Sequence, residues 1–261
     1  MKLSLCIPIM SQMEDTKGVW GCHVGNIIDK QNVQLVVINN ASTDDSVAFL
    51  ERFIFPHFPD HKLINNPENV GVLKSMNQCV KESNGDVIAI LHNDLYVFEY
   101  GWNNRVLQQF EQISKLGLMG FLGAKGCGNT GGRMNTLSNM LEAEIHGTRE
   151  TGQQKVVLFD GLSLIGRRTM FEKVGGFDEG YTYHHFYDRD ISLASHYSGF
   201  ENWMIGVLCH HKNGITANRP EYQAWIEKKL GTTGYTGDIT SYRASEKHFI
   251  EKWSKYLPIM V

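Results

Sequence analysis

The stretch Asp86-Val87-Ile88-Ala89-Ile90-Leu91 is almost wholly apolar, breaks into His92-Asn93-Asp94, and resumes at Leu95. A carboxylate at such a break suits Mg2+ or Mn2+, ions that take one or two protein carboxylates and complete their shell with phosphate oxygens. In extended backbone His92 and Asp94 fall on one side and Asn93 on the other, which lets Asp94 reach outward. Other apolar runs end in similar clusters. His210-His211 follows Val207-Leu208-Cys209, and a neutral imidazole can ligate Mn2+ or neighbour a diphosphate. Asp188 and Asp190 open an amphipathic segment, where one carboxylate caps the helix and the other is free to accept a proton. Beyond Pro67 and Gly71, Lys74 and Asn77 lie about one helical turn apart, so a phosphate there would meet backbone donors and an ammonium group. Asn39, Ser42 and Asp44 crowd the end of another run, "NNASTDDS", which a turn capped by Thr43 or Asp44 would explain equally well.

Such clusters gain meaning from the elements beneath them. Short Val/Ile/Leu runs alternate with helical periodicity, the pattern of an α/β domain with a mostly parallel, Rossmann-like sheet flanked by helices. In open sheets of this kind ligands bind outside the carboxyl ends of the strands. Strands are expected at 3–9, 34–39, 61–65, 86–91, 118–122, 156–165 and 203–209. Helices are expected near 18–30, 44–54, 71–83, 103–115, 188–198, 220–230 and 241–255. The stretch from Gly123 to Asn135, "GAKGCGNTGGRMN", has five glycines and no apolar period, so it is expected to form a mobile surface loop, either a cover for the substrate or an ordinary connection. It lacks both the P-loop ending and GxGxxG.

At 261 residues and 42% hydrophobic, the chain can bury a full core, and no composition shift or linker divides it. The expected organisation is one domain over 1–261, with a nucleotide-binding half (1–100), an acceptor and catalytic half (101–218) and a helical extension (219–261). A net charge of -3 argues against nucleic-acid binding, which needs a basic field. Five scattered cysteines without a CxxC pair argue for reduced thiols and against a zinc cluster. The opening "MKLSLCIPIM" is too short for a signal-peptide core or a membrane span, which makes the cytoplasm the expected location.

Read in order, the segments resemble a GT-A-fold glycosyltransferase of family 2, the inverting family that uses nucleotide-sugar donors. The resemblance runs through "LCIPI", "VVINNASTDDS", "NVGVLKSMNQ", "LHNDL", "DGLSLIGRRTMFEKVGGFDEGY", "YDRDISLASHYSGF" and "CHHKNG", and "GGFDE" with "DRDISL" is its most specific part. The resemblance implies that Asp94 binds a divalent cation, Mn2+ or Mg2+, bridging the donor diphosphate, with His92 and Asn93 beside it. It assigns Asp188 as the base that deprotonates an acceptor hydroxyl on a carbohydrate or other molecule, and Asp190 to structure or acceptor contact. His211, spaced better from Gly214 than His210 is, would sit by the metal. Backbone around Pro8, with Asn39, Ser42 and Asp44, would line the base and ribose site.

The chain departs from the family pattern at four of these positions. Asn39 stands where Asp is usual, and an amide still pairs with uracil, which favours a UDP or dTDP donor. His92 replaces the first acid of the D-x-D pattern, Met76 stands where Arg is common, with Lys74 nearby to compensate, and Tyr187 replaces the Glu before the base. Two other readings compete. A nucleotidyltransferase would carry a Gly-rich activation loop that "IPIMSQMEDTKGVW" lacks, and a catalytically silent nucleotide- or glycan-binding module would fit the altered positions 92 and 187.

Overall fold

A computed structural model describes residues 1–181, 183–212, 224, 226–228 and 234–261. Its framework begins with β1 (Leu3–Ile9), α1 (Met13–Asn26), β2 (Val33–Asn39), a short α2 (Ser46–Phe49) that runs on into one π-turn, β3 (Asp60–Asn65) and α3 (Val72–Glu82). Next come β4 (Val87–Leu91), β5 (Leu95–Val97), α4 (Trp102–Gln112), β6 (Leu116–Gly120), β7 (Leu122–Cys127) and β8 (Arg133–Ser138). Short pieces α5 (Ala143–His146), β9 (Thr148–Arg149), β10 (Gln153–Lys155) and β11 (Leu158–Phe159) lead to β12 (Ser163–Arg167) and α6 (Arg168–Val174). The chain closes with α7 (Tyr187–Tyr197), β13 (Glu201–Ile205), β14 (Cys209–His211), α8 (Gly234–Trp253) and β15 (Ile259–Met260).

Eight strands form the central sheet in the order β10-β13-β6-β12-β4-β1-β2-β3. β1 pairs in parallel with β2 and β4, β2 with β3, and β6 with β13, whereas β12 runs antiparallel between β4 and β6. β1, β2 and β4 are almost wholly apolar because helices cover both faces, while edge strand β3 is half exposed. One core packs α1 and α4 on one face, and a second packs α3, α6 and α7 on the other. On α4 the buried residues Trp102, Val106 and Phe110 recur every four positions, and each apolar side chain buried this way contributes roughly 1.5–3 kcal/mol.

Three expectations are corrected. The glycine-rich stretch is a hairpin, β7 to β8, inside a second sheet ordered β11-β7-β8-β9, with β15 also on β7. Its glycines serve close packing: a Cβ on Gly123 would come within 3.0 Å of Val156, and one on Gly126 within 2.1 Å of Met260. The expected strand 156–165 is two, β11 in the second sheet and β12 in the central one, and the crossing between them exposes Asp160 and Gly161 to the site below. The expected strand 203–209 likewise divides into β13 and β14, and β14 pairs with β5 in a separate two-stranded ribbon, with one bridge from Cys209 to Met140. The expected helix at 220–230 falls outside the described residues except for 224 and 226–228, which are helical. Among the described residues, no helix is long and apolar enough to cross a membrane.

Candidate active site

The carboxyl ends of β1 and β4 and the N-terminus of α3 open onto a cavity of about 390 Å³, a volume in the range of small-molecule sites. Pro8, Gly71, His92, Asn93, Asp94, Asp188 and His211 all line it. Gly71 starts α3 with φ 89°, a left-handed conformation that glycine adopts without strain, and so leads the chain into the helix beside the cavity. Residues 92–94 form a turn between β4 and β5 rather than a continuing strand, closed by the Leu95 N–H on the His92 carbonyl, and within it the Asn93 amide donates to Thr16 on α1 at 3.0 Å.

β14 lies antiparallel to β5, with His211 opposite Leu95 and the Lys212 N–H donating to the Asp94 carbonyl. That register sets His211 Nε2 3.0 Å from Asp94 Oδ1 and 3.3 Å from His92 Nδ1. His210 points to the opposite face and pairs with Glu142, so the geometry answers which of the two histidines belongs to the cavity. One donor atom each from His92, Asp94 and His211 lie within 4.8 Å of one another. Burial pushes the Asp94 carboxyl up, but the His211 hydrogen bond and the charges of His211 and His92 outweigh it and hold the group below the usual carboxylate range. Burial, and then repulsion from His211, lower the His92 imidazole, which keeps it neutral with a lone pair to offer. Two imidazoles and one carboxylate are a nitrogen and oxygen donor set that fits a divalent cation.

Opposite this triad the loop before α7 turns at Phe186, whose φ of 66° is left-handed and whose ring packs on Phe249 and Tyr242. That turn delivers Tyr187 and Asp188 to the cavity at the start of α7. Asp188 Oδ1 accepts the Arg189 N–H at 2.8 Å, and Oδ2 pairs with Arg133. Arg133, the first residue of β8, also holds Asp160 Oδ2 at 3.0 Å. Burial works against the guanidinium charge, and Asp160 and Asp188 more than restore it. Burial likewise raises the Asp160 carboxyl, and Arg133 more than compensates. Tyr187 Oη lies 3.1 Å from His92 Nε2, so the two positions that depart from the family's acidic pattern touch each other.

Five of the expected site residues do not line the cavity. Both ends of the Asn39 amide are engaged, donating to Asn65 Oδ1 and accepting the Ser42 N–H, each at 2.8 Å. Its neighbour Asn40 faces the cavity instead, so an argument for uracil drawn from the Asn39 amide does not hold. Ser42 Oγ accepts the Ser11 N–H, and Asp44 accepts N–H groups of Met13 and Ser46, which makes it a turn and helix-start residue. Lys74 is exposed on the outer face of α3. Asn77 is committed to the backbone of Phe177 and to Glu179, tying α3 to the "GGFDE" segment. Asp190, bonded to Tyr181, Trp253 and Lys252, is structural.

Arg133 and Asp160 were missing from the sequence-based site. Arg133 stood within an expected loop and Asp160 inside an expected strand, so neither carried a strand-end signal.

Residues 23–175, more than half of the chain, match the family described as Glycosyl transferase family 2. No curated protein matches the sequence. Among solved structures, GalNAc-T7 with UDP, GalNAc and Mn2+ superposes with a TM-score of 0.66 at 11% identity, over 98% of this chain and 57% of that one. TarS 1-349 from S. aureus with UDP-GlcNAc gives 0.62 at 12% identity, over 98% and 76%. The mannosyltransferase PcManGT from Pyrobaculum calidifontis, with GDP-Man and Mn2+, gives 0.61 at 13% identity, over 98% and 70%. At these identities the likeness establishes the fold, the GT-A arrangement of a mostly parallel sheet between helices. The chain belongs to glycosyl transferase family 2.

Proposed function

We propose that this glycosyltransferase moves a sugar from a nucleotide-diphosphate donor to a hydroxyl acceptor, with inversion at the anomeric carbon and with the help of a divalent cation. The observation that carries the reading is that Asp188 and the His92, Asp94 and His211 cluster line one cavity. Support for the donor class comes from the three structural neighbours, which hold GDP-Man, UDP-GlcNAc or UDP, two of them with Mn2+.

The acceptor oxygen forms a bond to the anomeric carbon as the bond to the diphosphate oxygen breaks, and the hydroxyl proton passes to the Asp188 carboxylate. Arg133 fixes the orientation of Oδ2, and the Arg189 N–H does the same for Oδ1. His92, Asp94 and His211 would hold the cation, and two imidazoles tilt the choice toward Mn2+ over the oxygen-seeking Mg2+. When bound, such an ion offsets the negative charge gathering on the departing diphosphate. Val72, the first residue of α3, lines the cavity at the helix N-terminus, where a phosphate oxygen would meet its N–H and the positive end of the helix dipole.

The chain is tested with Mn2+ and a panel of UDP-, dTDP- and GDP-sugars, measuring nucleotide release. Asp188→Asn should lower turnover roughly 10²–10⁴-fold and leave donor affinity within about twofold. Unchanged turnover removes Asp188 as the base. A second reading, a silent nucleotide- or glycan-binding module, is favoured by the engagement of both Asp188 oxygens. Calorimetry showing donor binding with no release across many acceptors would select it.

A further inference from the structure

We propose that Tyr187 is a positioning residue for the metal centre: its phenol fixes the tautomer and ring orientation of His92 so that Nδ1 presents a lone pair to a cation shared with Asp94 and His211. This rests on the metal-assisted reading above and names the part of the chain that prepares the site for the ion.

The proton assignment follows from the contacts. His211 Nε2 lies 3.0 Å from Asp94 Oδ1, and a carboxylate oxygen only accepts, so the proton of that contact sits on His211 Nε2. The same nitrogen lies 3.3 Å from His92 Nδ1, which therefore faces a donor and must itself be the acceptor. A neutral imidazole carries one proton, which leaves it on His92 Nε2, donated to the Tyr187 oxygen 3.1 Å away. The tautomer of His92 that suits the resting cluster is thus the one that leaves its Nδ1 free for a metal ion, and Tyr187 accepts the proton that selects it, while His211 gives up its Nε2 proton when an ion takes that place.

Tyr187 is built to stay in place. It is 4% exposed, its ring packs edge-on against Phe177 at 6.3 Å, and it starts α7 next to Asp188. Gly161 makes room for it, since a Cβ there would stand 2.1 Å from the phenol oxygen. The hydrogen bond also ties the helix that carries the base to a ligand of the cation, so the two halves of the site move together.

Tyr187→Phe keeps the ring and removes the oxygen. Histidine ¹⁵N spectra of the wild-type chain should report the Nε2-protonated form at His92, and Tyr187→Phe should lose that preference. Mn2+ titration followed by electron paramagnetic resonance, with UDP present, should give a dissociation constant roughly 10–100-fold higher for Tyr187→Phe, with the thermal midpoint unchanged. Gly161→Ala, which keeps the tyrosine but crowds its oxygen, should weaken Mn2+ in the same direction, and it serves where Tyr187→Phe misfolds. Wild-type tautomer and Mn2+ affinity in Tyr187→Phe overturn the role of Tyr187 alone. No Mn2+ binding by the wild-type chain overturns the metal-assisted reading, and the proposal with it.

Discussion

Arg133 joins two of the carboxylates that line the cavity, Asp160 and Asp188, and replacing it with methionine keeps the aliphatic stem while removing the charge. Asp160 and Asp188 would then face a lost cation from two elements, β12's approach and the start of α7. Deleting one partner of a buried pair costs about 3–5 kcal/mol. Side-chain exposures of 21% for Arg133, 10% for Asp188 and 28% for Asp160 leave some solvent screening, which places the loss near the lower end. Arg133→Met should therefore destabilise the chain by about 3 kcal/mol at pH 7, a fall in Tm of roughly 6–12 °C.

The loss should also depend on pH. Without the guanidinium, one carboxyl is expected to hold its proton more tightly in the folded chain than in the unfolded one. A folded pKa raised above the unfolded value gives stability that is present at low pH and lost as pH rises through the raised value. The deficit against the wild-type chain should thus shrink as pH falls from 7 toward 4. Adding Asp160→Asn to Arg133→Met should recover about half of the loss, since one orphaned charge is gone. Urea unfolding at several pH values reads all of this. A deficit under about 1 kcal/mol, or one that stays flat with pH, would refute the claim that Arg133 neutralises the pair.

Two further outcomes follow from single residues. His23 is fully buried against Trp20 and Trp102, and burial pushes its imidazole down to about 4. Its folded value lies below the unfolded one, so the unfolded chain binds the extra proton and stability falls as pH drops from about 6.5 toward 4. Between pH 7 and 5 the wild-type chain should lose about 2 kcal/mol more than His23→Leu in denaturant unfolding, and equal losses would contradict the burial argument. Asn77→Ala removes three hydrogen bonds between α3 and the segment 177–179. It should cost about 2 kcal/mol while leaving donor affinity unchanged in calorimetry, and a large loss of affinity at full stability would return Asn77 to the donor site.

The proposed cation cluster was legible in the sequence because an apolar run that ends in His92 and Asp94 breaks its own pattern, and the same break occurs before His211. The positions of the strand-end clusters, and so the α/β fold, were legible for that reason. Asn39, Ser42 and Asp44 looked alike as short polar groups, and only the hydrogen bonds of the folded chain separate turn-making residues from Asn40, which faces the cavity. Asn77 bonds to residues 100 and 102 positions away, a pairing that no local pattern carries. Arg133 and Asp160 become site residues through tertiary structure, where a glycine-rich hairpin packs as a sheet and one strand leaves it to join another. The contact between His92 and Tyr187 joins two departures that in sequence appeared independent.

Diffraction at the manganese absorption edge, from crystals grown with UDP and Mn2+, bears most directly on the shared centre. The account predicts one anomalous peak bonded to His92, Asp94 and His211, with the nucleotide's phosphates on its open side and Asp188 facing the same chamber. A peak elsewhere, or UDP bound with the three side chains still paired only to each other, would contradict it.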